Sequence, residues 1–224
     1  MTTTLEARFL AVISHELRTP LTTIASFTES LDSDDLAPDE RSVALSAVRR
    51  NTDRMLTLIE DLMVVSRLQT GDLFLHPVKV DLPALIQEAA DLLAGHEPHT
   101  DATLTATAGP PLPGDESLLR DLIYAVLGTV ASGAADRSAT VDARTDAGGW
   151  LVTITARQAE RLTDEYLMAG TLALPEPPHR RRSTAVWMLL ADAIATRHGG
   201  SVELTYDPTI GAGASLRLPG NPPA

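Results

Sequence analysis

Apolar residues recur along the first thirty positions at steps of three and four. Leu10, Ile13, Leu17, Leu21, Ile24, Thr28 and Leu31 fall on one mostly apolar stripe, which predicts a helix over residues 3–31. Asp32-Ser33-Asp34-Asp35-Leu36-Ala37-Pro38 then breaks the pattern with turn and cap residues. A second stripe, Leu45, Val48, Thr52, Met55, Ile59 and Leu62, predicts a helix over 39–69, with Gly71 as its stop. Two long amphipathic helices joined by a short loop form an antiparallel αα-hairpin. One hairpin alone leaves much of its apolar seam in water. Pairing two hairpins into a four-helix bundle buries that seam, so a homodimer is expected.

From Leu73 the periodicity changes. Residues 75–81, 102–108, 201–206 and 214–218 read as strands, and 82–94, 116–131 and 185–197 as helices. Residues 139–144 and 150–156 flank Asp146-Ala147-Gly148-Gly149 and read as a β-hairpin. A loop rich in Pro and Arg is expected over 174–182, and a frayed tail over 219–224. The chain thus divides into a helical domain, residues 1–71, and an α+β sandwich, residues 72–224, with helices on one face of a mixed sheet.

Composition narrows the functional classes. Only 4% of residues are aromatic, so the core is built from Leu, Val, Ile and Ala. A net charge of −12 repels a phosphate backbone, which argues against nucleic acid as a partner. The absence of cysteine excludes disulfides and thiolate metal sites, and the six histidines lack HExxH spacing, so no metal site is expected. The longest apolar stretches, such as 62–65, are too short to cross a bilayer, and residues 1–6 lack the cationic start and apolar run of a signal peptide. The expectation is a cytoplasmic protein with no membrane segment in this chain, with a membrane-bound parent of which it is a fragment left open.

The candidate chemistry lies in Phe9-Leu10-Ala11-Val12-Ile13-Ser14-His15-Glu16-Leu17-Arg18-Thr19-Pro20-Leu21. At 100° per residue His15 lies about 200° from both Ile13 and Leu17, so it points away from the apolar stripe. Thr19 shares its face one turn on, Glu16 is adjacent, and Pro20 cannot donate to the Glu16 carbonyl, which predicts a bend or loosening there. A neutral imidazole is a good nucleophile toward a phosphoryl group near neutral pH. Attack leaves positive charge on the ring, which a nearby carboxylate can stabilise. A hydroxyl at i+4 can hold a water for hydrolysis. Taken alone, a His beside Glu and Arg on an exposed helix is ordinary surface chemistry.

The unbroken string from Phe9 to Leu21 closely resembles the phosphoacceptor box of two-component histidine kinases. Leu62-Met63-Val64-Val65-Ser66-Arg67-Leu68-Gln69-Thr70-Gly71, followed by Pro77-Val78-Lys79-Val80-Asp81-Leu82, resembles that family's junction between dimerisation hairpin and ATP-binding domain. Gly114-Asp115 with Leu118-Leu119-Arg120 resembles the start of its Asn-bearing helix. His198-Gly199-Gly200 and Gly211-Ala212-Gly213-Ala214-Ser215-Leu216-Arg217-Leu218-Pro219 resemble its closing segments. The resemblance implies a dimeric four-helix bundle followed by a histidine-kinase-type ATPase sandwich, with His15 as phosphoacceptor, Glu16 and Thr19 as its helpers, and a response-regulator receiver domain as partner.

The same resemblance breaks at three nucleotide motifs. Ala125 and Thr129 stand where the family carries Asn for magnesium and phosphate, and neither replaces a carboxamide. Arg157-Gln158-Ala159-Glu160-Arg161 stands where it has an Asp-x-Gly-x-Gly box. Counted back from His198-Gly199-Gly200, Ala185 and Trp187 occupy glycine positions of the phosphate loop, where a Trp is a steric block. His179-Arg180-Arg181-Arg182 could supply phosphate charge in a divergent pocket but reads better as a solvated surface. The expectation is a phosphotransfer or phosphatase protein that binds no cofactor. Two alternatives stay open: an ATP-dependent histidine kinase, which would use ATP and magnesium, and a non-catalytic dimeric scaffold.

Overall fold

A computed structural model describes residues 2–32, 37–97, 99–146, 148–157, 162–163, 167, 171–173, 181–207 and 209–220. The chain forms two compact units, Met1–Val64 and Val65–Ala224. Among the described residues no helix is long and apolar enough to cross a membrane.

Two long helices supply the first unit: α1 (Thr2–Leu31), and α2 (Pro38–Thr70), whose last turns belong to the second. Pro38, Asp39 and Glu40 open α2 with a helix-compatible proline and negative charge at the positive end of the helix dipole. α1 continues through Pro20. Among the described side chains of this unit, the buried positions are Val12, Glu16 and Pro20 on α1, and Ala44, Ala47, Thr57, Leu58 and Asp61 on α2. On both helices the inward row stands one residue from the expected stripe, about 100° around the axis. Leu21, Leu45 and Ile59, members of the expected stripes, are exposed on the single chain, as are Val43, Leu56 and Met63.

In the second unit, β1 (Val78–Val80) pairs antiparallel with β3 (Leu112–Gly114). β1 is shorter than the strand expected over 75–81, and β3 was not expected. The main sheet runs β2 (Asp101–Ala106), β4 (Ser138–Asp146), β5 (Gly149–Arg157), β9 (Gly211–Pro219), β8 (Ser201–Asp207) in spatial order. Only β2 and β4 are parallel, so the sheet is mixed as expected. Gly149 closes the β4–β5 turn at φ +144°, where a Cβ would lie 2.3 Å from the Leu218 carbonyl oxygen. A small pair, β6 (Thr171–Ala173) and β7 (Arg181–Ser183), replaces the end of the expected 174–182 loop; residues 174–180 lie outside the described set.

Strand alternation places Val141 and Ala143, Trp150, Val152, Ile154 and Ala156, and Ala212, Ala214, Leu216 and Leu218 in the core. Three helices, α3 (Leu82–His96), α4 (Glu116–Ser132) and α5 (Thr184–Arg197), pack on the sheet and on one another. Their starts follow from local chemistry. Asp81, Asp115 and Ser183 are N-caps whose side-chain oxygens accept from Ala84, Leu118 and Val186 N–H groups.

A buried polar tie joins α4 to α5. His198 Nε2 accepts from the Asp115 N–H at 3.1 Å, which leaves the ring proton on Nδ1, 2.8 Å from the Ile194 carbonyl oxygen. Burial holds the imidazole below the ordinary histidine pKa, against the opposing pull of the Ile194 carbonyl and the Asp115 charge. Burial works to raise the Asp115 carboxyl, but hydrogen bonds from the His76 N–H, the Ser117 hydroxyl and the Leu118 N–H outweigh it and hold the group below its ordinary value. Both groups therefore bind protons less readily folded than unfolded, and acidification destabilises the fold. Urea midpoints are expected to fall as pH drops below about 6.5, where the unfolded histidine protonates, with a further loss below about 4 from Asp115. His198→Ala should cost about 1–3 kcal/mol, from stranded backbone groups, and should flatten the first limb. An unaltered limb in that variant would contradict the assignment.

Candidate functional site

Adjacent residues on a helix diverge by about 100°, and α1 uses this at His15 and Glu16. The His15 side chain is 49% exposed and that of Glu16 only 5%. A carboxylate so far out of water needs a partner. It finds one on α2, where Arg54 Nη2 donates to Glu16 Oε2 at 3.3 Å. The other oxygen, Oε1, lies 3.7 Å from His15 Nδ1, beyond hydrogen-bond reach but near enough to form an ion pair when the ring carries a proton on both nitrogens. Thr19 is exposed on the His15 face, and its hydroxyl donates to the His15 carbonyl oxygen at 3.4 Å, leaving the oxygen lone pairs free to accept.

The three residues expected from sequence, His15, Glu16 and Thr19, thus lie within about one turn of α1. Two features were not expected. Glu16 lies inward rather than on the surface beside His15, and Arg54, 38 residues away, completes the group. No local motif marks Arg54. The only sequence signal is a cation on the helix predicted to pack against the box.

Chemically, the arrangement presents an exposed imidazole with a carboxylate beside Nδ1. The ring is open to solvent and within reach of a reactant from outside.

In the second unit, α4 is buried without interruption from Leu122 to Ala131. Along this stretch α4 is packed on every side by protein. Ala125 and Thr129 are both fully enclosed. Trp187, on the first turn of α5, is also enclosed; its ring centroid lies 5.6 Å from that of Tyr124 on α4, with the planes tilted 52°. The Arg182 guanidinium lies 4.8 Å over the Trp187 ring, a cation–π contact. Arg182 is half-buried there, which corrects the expectation of a solvated surface for that residue. Arg157 is exposed at the end of β5; residues 158–161, the remainder of the expected Asp-x-Gly-x-Gly position, lie outside the described set. Among the described residues, Thr129 Oγ1 and Trp187 Nε1 are buried without a hydrogen-bond partner.

The ring of Trp187 is a structural part of this core. Trp187→Ala should destabilise the second unit by about 3–5 kcal/mol. Thermal or urea unfolding followed by circular dichroism measures it. A loss below about 1 kcal/mol would mean that the indole fills no space the fold needs.

Comparison with known proteins bears on both units. The His Kinase A (phospho-acceptor) domain family matches residues 5–71. The signal transduction histidine-protein kinase BarA of Escherichia coli is 31% identical over 128 residues, 55% of this chain and 14% of BarA. The sensor protein EvgS of Escherichia coli is 35% identical over 85 residues, 38% of this chain and 7% of EvgS. The chain therefore spans only a small part of these relatives. Among solved structures, the histidine kinase AdeS of Acinetobacter baumannii superposes with a TM-score of 0.65 at 17% identity, covering 92% of this chain and 98% of that one. Full-length ShkA in complex with AMPPNP gives 0.56 at 20% identity, covering 92% of this chain and 44% of that one. At these identities the structural matches establish the fold, a helical hairpin followed by a sheet-based ATPase-type domain.

Proposed function

This chain belongs to the two-component sensor histidine kinase family, and we propose that it works there as a phosphoryl relay or phosphatase protein that exchanges phosphate at His15 without using ATP. Membership implies two-component signalling, with a response-regulator partner and dimerisation. The finer reading is carried by one observation: Trp187 is buried against Tyr124 where the family's phosphate loop has glycine. Bulk in place of a glycine removes the close backbone approach on which phosphate binding depends. The enclosed Ala125 and Thr129 supply no carboxamide for magnesium.

The exchange balances without a further reactant. Nε2 of His15 attacks the phosphorus of a receiver-domain phospho-aspartate. The N–P bond forms as the aspartyl O–P bond breaks, and the receiver carboxylate is restored. The ring becomes an imidazolium with its proton on Nδ1, beside Glu16, and the reverse step returns the phosphate. Thr19 is placed to hold a water for hydrolysis of phosphorylated receiver. Its hydroxyl hydrogen is taken by the His15 carbonyl, so its oxygen can accept from that water.

The deciding experiment offers the protein radiolabelled ATP and, separately, a phosphorylated receiver domain. Label should reach His15 from the receiver alone, and label from ATP would assign an autokinase instead. His15→Ala should abolish exchange with the dimer intact, since an exposed side chain contributes little packing. Thr19→Ala should impair hydrolysis more than transfer. Exchange at the wild-type rate in His15→Ala would remove the phosphoacceptor assignment. Calorimetry with a non-hydrolysable ATP analogue should show no binding, and a micromolar dissociation constant would overturn the ATP-independent reading.

The exposed rows on α1 and α2 support pairing of two copies. Ile59 is 46% exposed on the single chain, so Ile59→Lys should leave the hairpin helical while shifting light scattering from dimer toward monomer. A monomeric wild type would defeat this part of the proposal.

A further inference from the structure

Among the described residues, Arg54 reaches the His15 neighbourhood through Glu16. Helical geometry sends Glu16 inward and His15 outward, so the carboxylate has no intrinsic reason to remain near the ring. Arg54 changes that. Its side chain is 46% exposed, at the rim of the hairpin rather than in its centre, and its guanidinium holds Glu16 Oε2 at 3.3 Å. Oε1 is left 3.7 Å from His15 Nδ1. The carboxylate is shared, one oxygen to each cationic or potentially cationic group.

We propose that Arg54 is a positioning residue for the phosphoacceptor: by holding one oxygen of Glu16 it keeps the negative charge of the other 3.7 Å from His15 Nδ1, where that charge favours the tautomer with its proton on Nδ1 and leaves Nε2 to react. The inference rests on the relay reading for its kinetic readout only. The contact with Arg54 is made through one nitrogen, so a lysine ammonium can replace it, whereas a neutral amide cannot supply the charge that anchors a buried carboxylate. Loss of Arg54 lets the carboxylate swing away from the ring. The fold, held by apolar rows elsewhere on the helices, remains.

The test uses the full chain in two measurements. In protein labelled with ¹⁵N at histidine, ring nitrogen shifts report the His15 tautomer. The wild type and Arg54→Lys should favour the proton on Nδ1, while Arg54→Gln and Glu16→Gln should lose that preference. In single-turnover transfer from a phosphorylated receiver, Arg54→Gln should slow the rate at saturating receiver by roughly tenfold or more, the scale expected for a displaced reacting group. The half-saturating concentration should change little, and Arg54→Lys should restore the rate. In the Glu16→Gln background, Arg54→Gln should add no further loss, because the two act as one unit. An equal loss in both backgrounds, or a wild-type tautomer ratio in Arg54→Gln, overturns the proposal. If the wild type exchanges no phosphate at all, the relay reading fails and the ring shifts alone decide the role of Arg54.

Discussion

A helix in a two-helix hairpin has one neighbour in its own unit, so it can bury only one face there. α1 and α2 give much of that face to small or polar residues, Ala44, Ala47, Glu16, Pro20 and Asp61 among them, with Val12 and Leu58 as its apolar members. Their larger apolar side chains, Leu21, Leu45, Leu56, Ile59 and Met63, stay open on the single chain. The arrangement makes sense for helices that need a second interface, because exposed apolar rows on long helices are association surfaces. His15 and Thr19 lie on an exposed edge of α1, away from the inward row.

The second unit works under the opposite constraint. Its central helix, α4, has neighbours all round: α3 and α5 beside it, strands β4, β5 and β9 beneath it, and β6 nearby. Every residue from Leu122 to Ala131 is enclosed. Trp187 and Tyr124 fill space with aromatic carbon in a chain otherwise poor in aromatics, and Arg182 stacks on the indole. These contacts are internal and need no ligand to complete them. The polar tie from His198 to Asp115 secures the start of the same helix without a charge on the imidazole. A domain so filled can be stable on its own packing.

The two units thus differ in kind. The hairpin carries an exposed His15 whose carboxylate neighbour, Glu16, is buried and paired with Arg54. In the sandwich, Thr129 Oγ1 and Trp187 Nε1 are among the described buried polar atoms without a hydrogen-bond partner, and both belong to residues that stand where the resemblance expects Asn and Gly. Unpaired buried polar atoms are uncommon in native folds, and both fall on helices from which the resemblance expects phosphate contacts.

Much of this was legible in the sequence. Both long helices, the three helices of the sandwich and the β4–β5 hairpin follow from periodicity and turn residues. These are local properties, with side chains at fixed angular steps along one segment. The His15 box was legible for the same reason, being thirteen consecutive residues on one helix. Pairing across distance was not. β3 is three residues long and exists because β1 lies beside it, and no periodicity shows in so short a run. The inward rows of the hairpin stand one residue from the strongest apolar stripes, since hydrophobicity alone does not say which neighbour covers which face. The burial of Glu16 and its contact with Arg54 were decided only by folding. An ion pair between residues 38 apart depends on how two helices rotate against each other, and spacing along the chain carries no record of that angle.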